Sequence, residues 1–233
     1  YRQTSTPSKT LATMDPYNQL FARQTRYRLD AEMIRDQALD ISGLLVRQIG
    51  GPSVRPYQPS GYYSQLNFPK RTYKHDKGNS QYRRGLYTHW QRTFLHPMLK
   101  AFDAPTREEC TAQRPRSNTP LQSLNLLNDP SFVEAARTFA AGILSSPAKA
   151  DHQRIRSAFE SVVLRQPTHR ELMILEQLLI ETREGYSGEP ERGLELVKVG
   201  LNQAGKQCPP AELGAWTAVT RALFNLHETI TRY

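Results

Sequence analysis

Asp129-Pro130-Ser131-Phe132-Val133-Glu134-Ala135-Ala136-Arg137-Thr138-Phe139-Ala140-Ala141-Gly142-Ile143 is the stretch whose reading decides the fold. Asp129 suits an N-cap, and Pro130 suits the first helical position, where no backbone donor is needed. Phe132, Val133, Ala136, Phe139, Ala140 and Ile143 then recur at helical spacing and form one buried face. Working outward, Thr119-Pro120 opens a shorter helix through Leu121, Leu124 and Leu127. On the other side, Asp151 can cap a helix carrying Ile155, Phe159, Val162 and Val163. Thr168-His169-Arg170-Glu171 is a capping box, in which the Thr hydroxyl and the Glu carboxylate each satisfy a free amide. Its helix carries Leu172, Leu175, Leu178 and Leu179. After a turn over 185–190, Leu194, Val197 and Leu201 suggest a further helix. The last helix starts near Pro210, with Leu213, Trp216, Leu223, Phe224 and Ile230 inward.

The first half is less regular. Residues 1–16 read as irregular, and 17–28 as a short basic helix with Tyr17, Leu20, Phe21 and Gln24. Asp30 can cap a longer helix with Ile34, Ala38, Ile41, Leu45 and Ile49 on one stripe, stopped by Gly50-Gly51-Pro52. Residues 50–81 form a long loop rich in Pro, Gly, Ser and Tyr; such loops are usually functional or disordered. Residues 82–102 suit either a helix face or a strand at their start, and a helix later. The expectation is a mainly α, irregular domain of seven or so helices. There is no repeat and no alternating strand–helix pattern, which argues against an α/β sheet fold.

Hydrophobic residues make up 38% of the chain, low for a compact domain but enough for a core. No stretch approaches the roughly 18 apolar residues of a membrane span. The net charge of +9 is unevenly placed: residues 1–120 hold 19 Lys and Arg against 9 Asp and Glu, the remainder 12 against 13. Such asymmetry marks either an anionic partner or a solvated positive face. No nucleic-acid-binding motif accompanies it. Cys110 and Cys208 are not in CxxC or CxxCH form, so neither a zinc knuckle nor haem attachment is encoded; a disulfide and two buried thiols both remain open. The opening Tyr1-Arg2-Gln3-Thr4-Ser5 lacks an initiator Met and a signal pattern. The expected organisation is therefore one domain over 1–233, cut from a larger protein, with a basic loop-rich half (1–117) and a helical body (118–233).

The densest candidate site lies in 82–129. Arg83, Arg84, Arg92, Arg107, Arg114 and Arg116 sit there with His89, His96, Asp103, Cys110, Asn118 and Asp129. Guanidinium groups offer planar forks for carboxylate, sulfate or phosphate, and Tyr82, Tyr87 and Trp90 could stack on sugars or on the arginines. Arg83, Arg84, Trp90, Arg92, Arg114, Arg116 and Asn118 are the ligand-binding candidates. The competing reading makes the arginines internal struts paired with Asp103, Glu108, Glu109 and Asp129. Cys110 beside His89 or His96 would suit a nucleophile and base, although a structural Cys is the commoner case. His75, Asp76, His89, His96 and Asp103 show no paired ligand spacing, so no metal site is expected.

The block Tyr82-Arg83-Arg84-Gly85-Leu86-Tyr87, Trp90-Gln91-Arg92-Thr93, Phe102-Asp103-Ala104-Pro105, Arg107-Glu108-Glu109-Cys110, Arg114-Pro115-Arg116-Ser117-Asn118-Thr119-Pro120 and Leu127-Asn128-Asp129-Pro130 resembles the planctomycete PSD-one domain, a domain of unknown function. The N-terminal Tyr1-Arg2-Gln3-Thr4-Ser5 and the C-terminal Ala215-Trp216-Thr217-Ala218-Val219 are similar to the same family. The resemblance implies the C-terminal part of an exported, extracytoplasmic bacterial protein, with a cytochrome c-like haem domain and a second helical domain upstream. It implies no cofactor within this chain and no catalytic mechanism. The expected function is a non-catalytic interaction or scaffold domain that contacts upstream domains of the same protein or an acidic polysaccharide. The alternatives are a hydrolase or redox enzyme acting on anionic glycans through His89, Asp103 and Cys110, and, third, nucleic-acid binding.

Overall fold

The computed structural model describes residues 3–65, 71–91, 94–148, 150–203, 205 and 207–232. Among them lie nine α-helices and one two-stranded sheet, so the protein is mainly α.

The helical body forms where the caps place it. α4 (Pro120–Asn128) ends at Asp129, whose carboxylate accepts the Ser131 N–H at 2.8 Å and starts α5 (Pro130–Leu144). α6 is Asp151–Val163 and α7 is His169–Gly188. Both limbs of the Thr168–Glu171 capping box are made, at 3.3 and 2.7 Å. α8 (Pro190–Val197) and α9 (Pro210–Phe224) follow. α9 packs against α4, α5, α6, α7 and α8, which makes it the central helix. Leu213, Trp216, Val219 and Leu223 on it are wholly buried.

Four details of this half differ from the sequence reading. Leu121 and Leu124 face solvent, and Leu126 with Gln122 points inward instead. Asp151 is the first helical residue rather than the cap; its carboxylate pairs with Arg183 at 3.0 Å. α7 runs through the expected turn to Gly188. Leu201 lies beyond the end of α8, and Ile230 beyond α9.

The N-terminal half wraps this body. α1 (Lys9–Met14) occupies a segment expected to be irregular, capped by the Ser8 hydroxyl on the Leu11 N–H. The expected basic helix over 17–28 is replaced by turns. The Asp15 carboxylate accepts the N–H groups of Gln19 and Leu20 at 2.8 Å, and Asn18 and Phe21 take positive φ. The segment ends in strand β1 (Tyr27–Arg28), antiparallel to β2 (Thr231–Arg232).

α2 (Ala31–Ile41) packs on α5, with Ala31, Ile34, Ala38 and Leu39 buried. It stops eight residues short of Ile49, which is fully solvated. Gly43 takes φ +75°, and the Leu44 and Leu45 N–H groups both turn back to the Leu39 carbonyl. Val46 then bridges Arg83 in an extended conformation. Asp30 occupies the cap position without a side-chain cap bond.

The described part of the Tyr/Pro-rich loop is packed down by its own tyrosines. Tyr57 and Tyr63 are buried, Tyr73 donates to the Pro56 carbonyl at 2.6 Å, and Tyr62 to that of Leu95 at 3.0 Å. Beyond it, 3-10 turns at Gly78–Tyr82 and Gly85–Tyr87 precede α3 (Pro97–Ala101). Leu86 is exposed, and neither of the alternatives open for the start of 82–102, an α-helix or a strand, forms there. Gly85 lies against α2, where a Cβ would sit 2.9 Å from the Glu32 Cα. Because backbone cannot step aside, Gly85→Ala is expected to cost about 1–3 kcal/mol. Thermal unfolding should show this as a Tm lowered by several degrees; an unchanged Tm would mean that this crossing is loose.

Among the described residues no helix is long and apolar enough to cross a membrane.

Candidate functional site

The loop-rich half is tied to the helices by charged groups taken inside. Arg35 on α2 is fully buried and donates to the carbonyls of Gln81 and Arg83, each at 2.6 Å. Arg83 is itself buried. Its guanidinium lies 4.0 Å from the Tyr87 ring centroid and donates to the carbonyls of Pro52 (2.8 Å), Gln48 (3.4 Å) and Gly50. Three loop carbonyls left without ladder partners are thereby satisfied by one fork.

Glu134, on α5 and 1% exposed, is the centre of the network. Its carboxylate accepts from the hydroxyls of Tyr57 (2.9 Å) and Tyr82 (2.8 Å) and from the Asn202 N–H (2.5 Å). Burial and the adjacent Glu134 charge push the Tyr57 phenol up to about 12, and raise that of Tyr82 as well. Both hydroxyls therefore remain donors at neutral pH. Arg137, one turn on, donates to the carbonyls of Val199 and Asn202 at 3.2 and 2.7 Å.

His96 caps α3 and is buried, with Nε2 2.7 Å from the Tyr57 carbonyl oxygen. That nitrogen must carry the proton, so the ring is the neutral Nε2–H tautomer. Burial lowers its pKa to about 4. In the unfolded chain His96 takes a proton as pH falls through about 6.5, while the folded state resists until about 4. Folding stability is therefore highest above the upper value and declines as pH drops between the two. The loss should reach the order of 3 kcal/mol, and His96→Gln, which keeps a donor for Tyr57, should flatten that part of the profile. Denaturant midpoints of both proteins between pH 7 and 4 measure it; parallel profiles would show that His96 is not the group responsible.

The residues of the alternative hydrolase or redox reading sit in separate surroundings. His89 is half-buried, and its pKa is lowered by burial and by Arg55 and Arg71, with Asp76 opposing. Asp103, at φ +60°, accepts from Arg28 and from the Ser117 N–H and hydroxyl at 2.8 and 2.9 Å. Burial pulls Asp103 up, but Arg28 and Ser117 outweigh it and hold the carboxyl below its usual range. Cys110 is exposed, Cys208 is partly buried, and both are free thiols. No hydrogen bond or ion pair joins His89, Asp103 and Cys110 among the described residues. Nor does any group of three or more His, Cys, Asp or Glu there come close enough to hold a metal ion.

The arginines divide into two sets. Arg83 is a buried strut, and Arg114 holds Glu32 through both oxygens at 2.7 and 3.2 Å. Among the described residues neither Glu108, Glu109 nor Asp129 pairs with any of them. Arg84 is exposed beside Asp36 on an open groove of about 370 Å³. Arg107 lies 3.7 Å from the Trp90 ring centroid, and the Trp90 Nε1–H donates to the Thr106 carbonyl at 3.2 Å. Arg116 lies over Tyr27, and Asn118 is exposed. Arg92 falls outside the described residues.

Sequence reasoning overlooked Arg28, Arg35, Glu134 and Arg137. For the last there was a signal. Arg137 falls between Val133 and Ala140 on the apolar stripe of α5, where a charge must be compensated.

These features define a mainly α domain with an ordered loop half pinned by buried arginines and one buried glutamate. The family model described as Protein of unknown function (DUF1553) matches residues 1–179, and the chain belongs to that family. No curated protein and no solved structure matches the chain.

Proposed function

We propose that this protein is a non-catalytic interaction domain that binds acidic polysaccharide through its basic half. We further propose that it works as the extracytoplasmic, C-terminal part of an exported multidomain protein, with haem c carried upstream. The observation that carries the reading is the division of roles just described. His89 and Asp103 answer to different charged neighbours, while Arg84, Arg107 and Arg116 remain on the surface. An enzyme would need its acid, base and substrate-binding groups converging on one cleft. A binding face needs only fixed, solvent-facing cations, and aromatic rings beneath Arg107 and Arg116 fix two of them.

Affinity electrophoresis through sulfated, carboxylated and neutral polysaccharides, at about physiological salt, tests the proposal. Retardation by the acidic polymers alone, with no release of new reducing ends, is the expected result. Cleavage of the polymer, lost in His89→Ala or Asp103→Asn, would replace it with the hydrolase reading. Tighter binding to single-stranded nucleic acid, falling steeply with salt, would replace it with the third reading.

A further inference from the structure

Tyr27 brings together three parts of the chain that are far apart in sequence. In the β1–β2 pair it stands directly opposite Arg232, and Arg28 opposite Thr231. Residues opposite one another in an antiparallel pair share a face of the sheet. Arg232 Nη1 donates to the Tyr27 hydroxyl at 2.8 Å, and its guanidinium carbon lies 5.7 Å from the ring centroid. The guanidinium carbon of Arg116 lies 4.5 Å from the same centroid.

One anchor sets this arrangement. The Asp103 carboxylate accepts from Arg28, the residue after Tyr27, and from the backbone and hydroxyl of Ser117, the residue after Arg116. Arg28 also donates to the Ser117 carbonyl and to Gln122 Oε1. Tyr27 and Arg116 are thus each one residue from a shared, largely buried ion pair, and the sheet adds Arg232 to them.

Among the described residues the charges so placed have no carboxylate partner. Arg28, Arg114, Arg165 and Arg183 each have a carboxylate within ion-pairing distance. Among the described residues Arg116 and Arg232 have none, and both are exposed. Arg116 makes no hydrogen bond there, and Arg232 spends one N–H on the Tyr27 hydroxyl. Two guanidinium groups drawn to one ring, with no counter-charge among the described residues, repel each other, and an anion that contacts both relieves that repulsion. Their remaining N–H groups match the oxygens of a planar or tetrahedral oxyanion.

We propose that Arg116 and Arg232, floored by Tyr27, form a clamp for the sulfate or carboxylate group of an acidic polysaccharide. This rests on the polysaccharide reading above, but it fails separately from it.

The test uses the whole chain. Side-chain Nε–H signals of Arg116 and Arg232 are followed by NMR during titration with sodium sulfate, at constant ionic strength against chloride. In parallel, a sulfated hexasaccharide and an oligouronate are titrated by calorimetry into the parent and variants. Arg116→Gln and Arg232→Gln should each weaken binding about tenfold, the loss expected for one charge-assisted pair. The double variant should show no saturation. Arg116→Lys, which keeps the charge but not the fork, should fall between parent and Arg116→Gln. Arg156→Gln, an exposed arginine on α6, should change affinity by less than about twofold. Circular dichroism checks that each variant keeps its helix content. If the oligosaccharides bind and the clamp variants behave like Arg156→Gln, the clamp is wrong and the polysaccharide reading stands. If sulfate shifts both arginine signals but no oligosaccharide binds, the clamp is right and that reading is wrong. Unmoved signals together with unchanged affinities overturn the clamp outright.

Discussion

Glu134→Ala is expected to lower stability by about 3–5 kcal/mol, the cost of stripping a buried, hydrogen-bonded charge from its partners. The substitution leaves the Tyr57 and Tyr82 hydroxyls and the Asn202 N–H without their acceptor. Each of the two buried hydroxyls so orphaned costs about 1–3 kcal/mol unless water enters. It also removes the negative charge nearest Arg137, whose side chain is itself buried. Glu134→Gln keeps one acceptor oxygen and the shape, so it should recover part of the loss. The site leaves no room for an alternative packing. Gly200 has φ +81°, and a Cβ on it would sit 2.1 Å from the Glu134 carboxyl carbon. Gly200→Ala is therefore expected to cost about 2–4 kcal/mol through overpacking and left-handed strain together. Guanidinium unfolding of the three variants at unchanged slope measures these differences. A loss below about 1 kcal/mol for Glu134→Ala would show that the network contributes little.

The second large effect concerns residues beyond the family-matched segment, which ends inside α7. A chain ending at Leu179 is expected not to fold. It would lack α8 and α9, and α9 carries Leu213, Trp216, Val219, Leu223 and Phe224, all essentially inaccessible to solvent. Burying such side chains contributes about 1.5–3 kcal/mol each. Five of them match the whole net stability of an ordinary domain, roughly 5–15 kcal/mol. Truncation also exposes the inner faces of α5 and α7 and removes β2, the partner of β1. Near-ultraviolet circular dichroism and amide dispersion of the 1–179 chain would show loss of fixed packing. A well-dispersed, cooperatively unfolding 1–179 would mean that α9 stabilises the body without being required for it.

Much of the helical body was legible because its signals are local. Asp129 and the Thr168–Glu171 box act on amides two or three residues away, so their spacing alone reveals them. Apolar periodicity found Phe132, Val133, Ile155, Phe159, Leu213 and Trp216 for the same reason. α2 shows where locality fails. Leu45 and Ile49 continue its stripe in the sequence, but Val46 pairs with a segment nearly forty residues away, and that pairing ends the helix. The short helix expected over 17–28 fails similarly, because Asn18 and Phe21 take positive φ and the Gln24 N–H bonds the distant Thr4 carbonyl instead of one within the segment.

The candidate site was legible in composition and not in role. By sequence Arg83, Arg114 and Arg116 are equivalent members of one basic run. In the fold Arg83 is buried under loop carbonyls, Arg114 grips Glu32, and Arg116 stands exposed on Tyr27. The basic half, the capped helices and the family membership followed from the chain alone, because charge count and short-range hydrogen bonding do not depend on where distant segments go. Which arginines became struts and which stayed in solvent, and that Glu134 lies at the centre, was decided only in three dimensions. A guanidinium commits to whichever oxygens the tertiary contacts bring within about 3 Å, and for Arg28, Arg35 and Arg83 those oxygens lie 31 to 94 residues away.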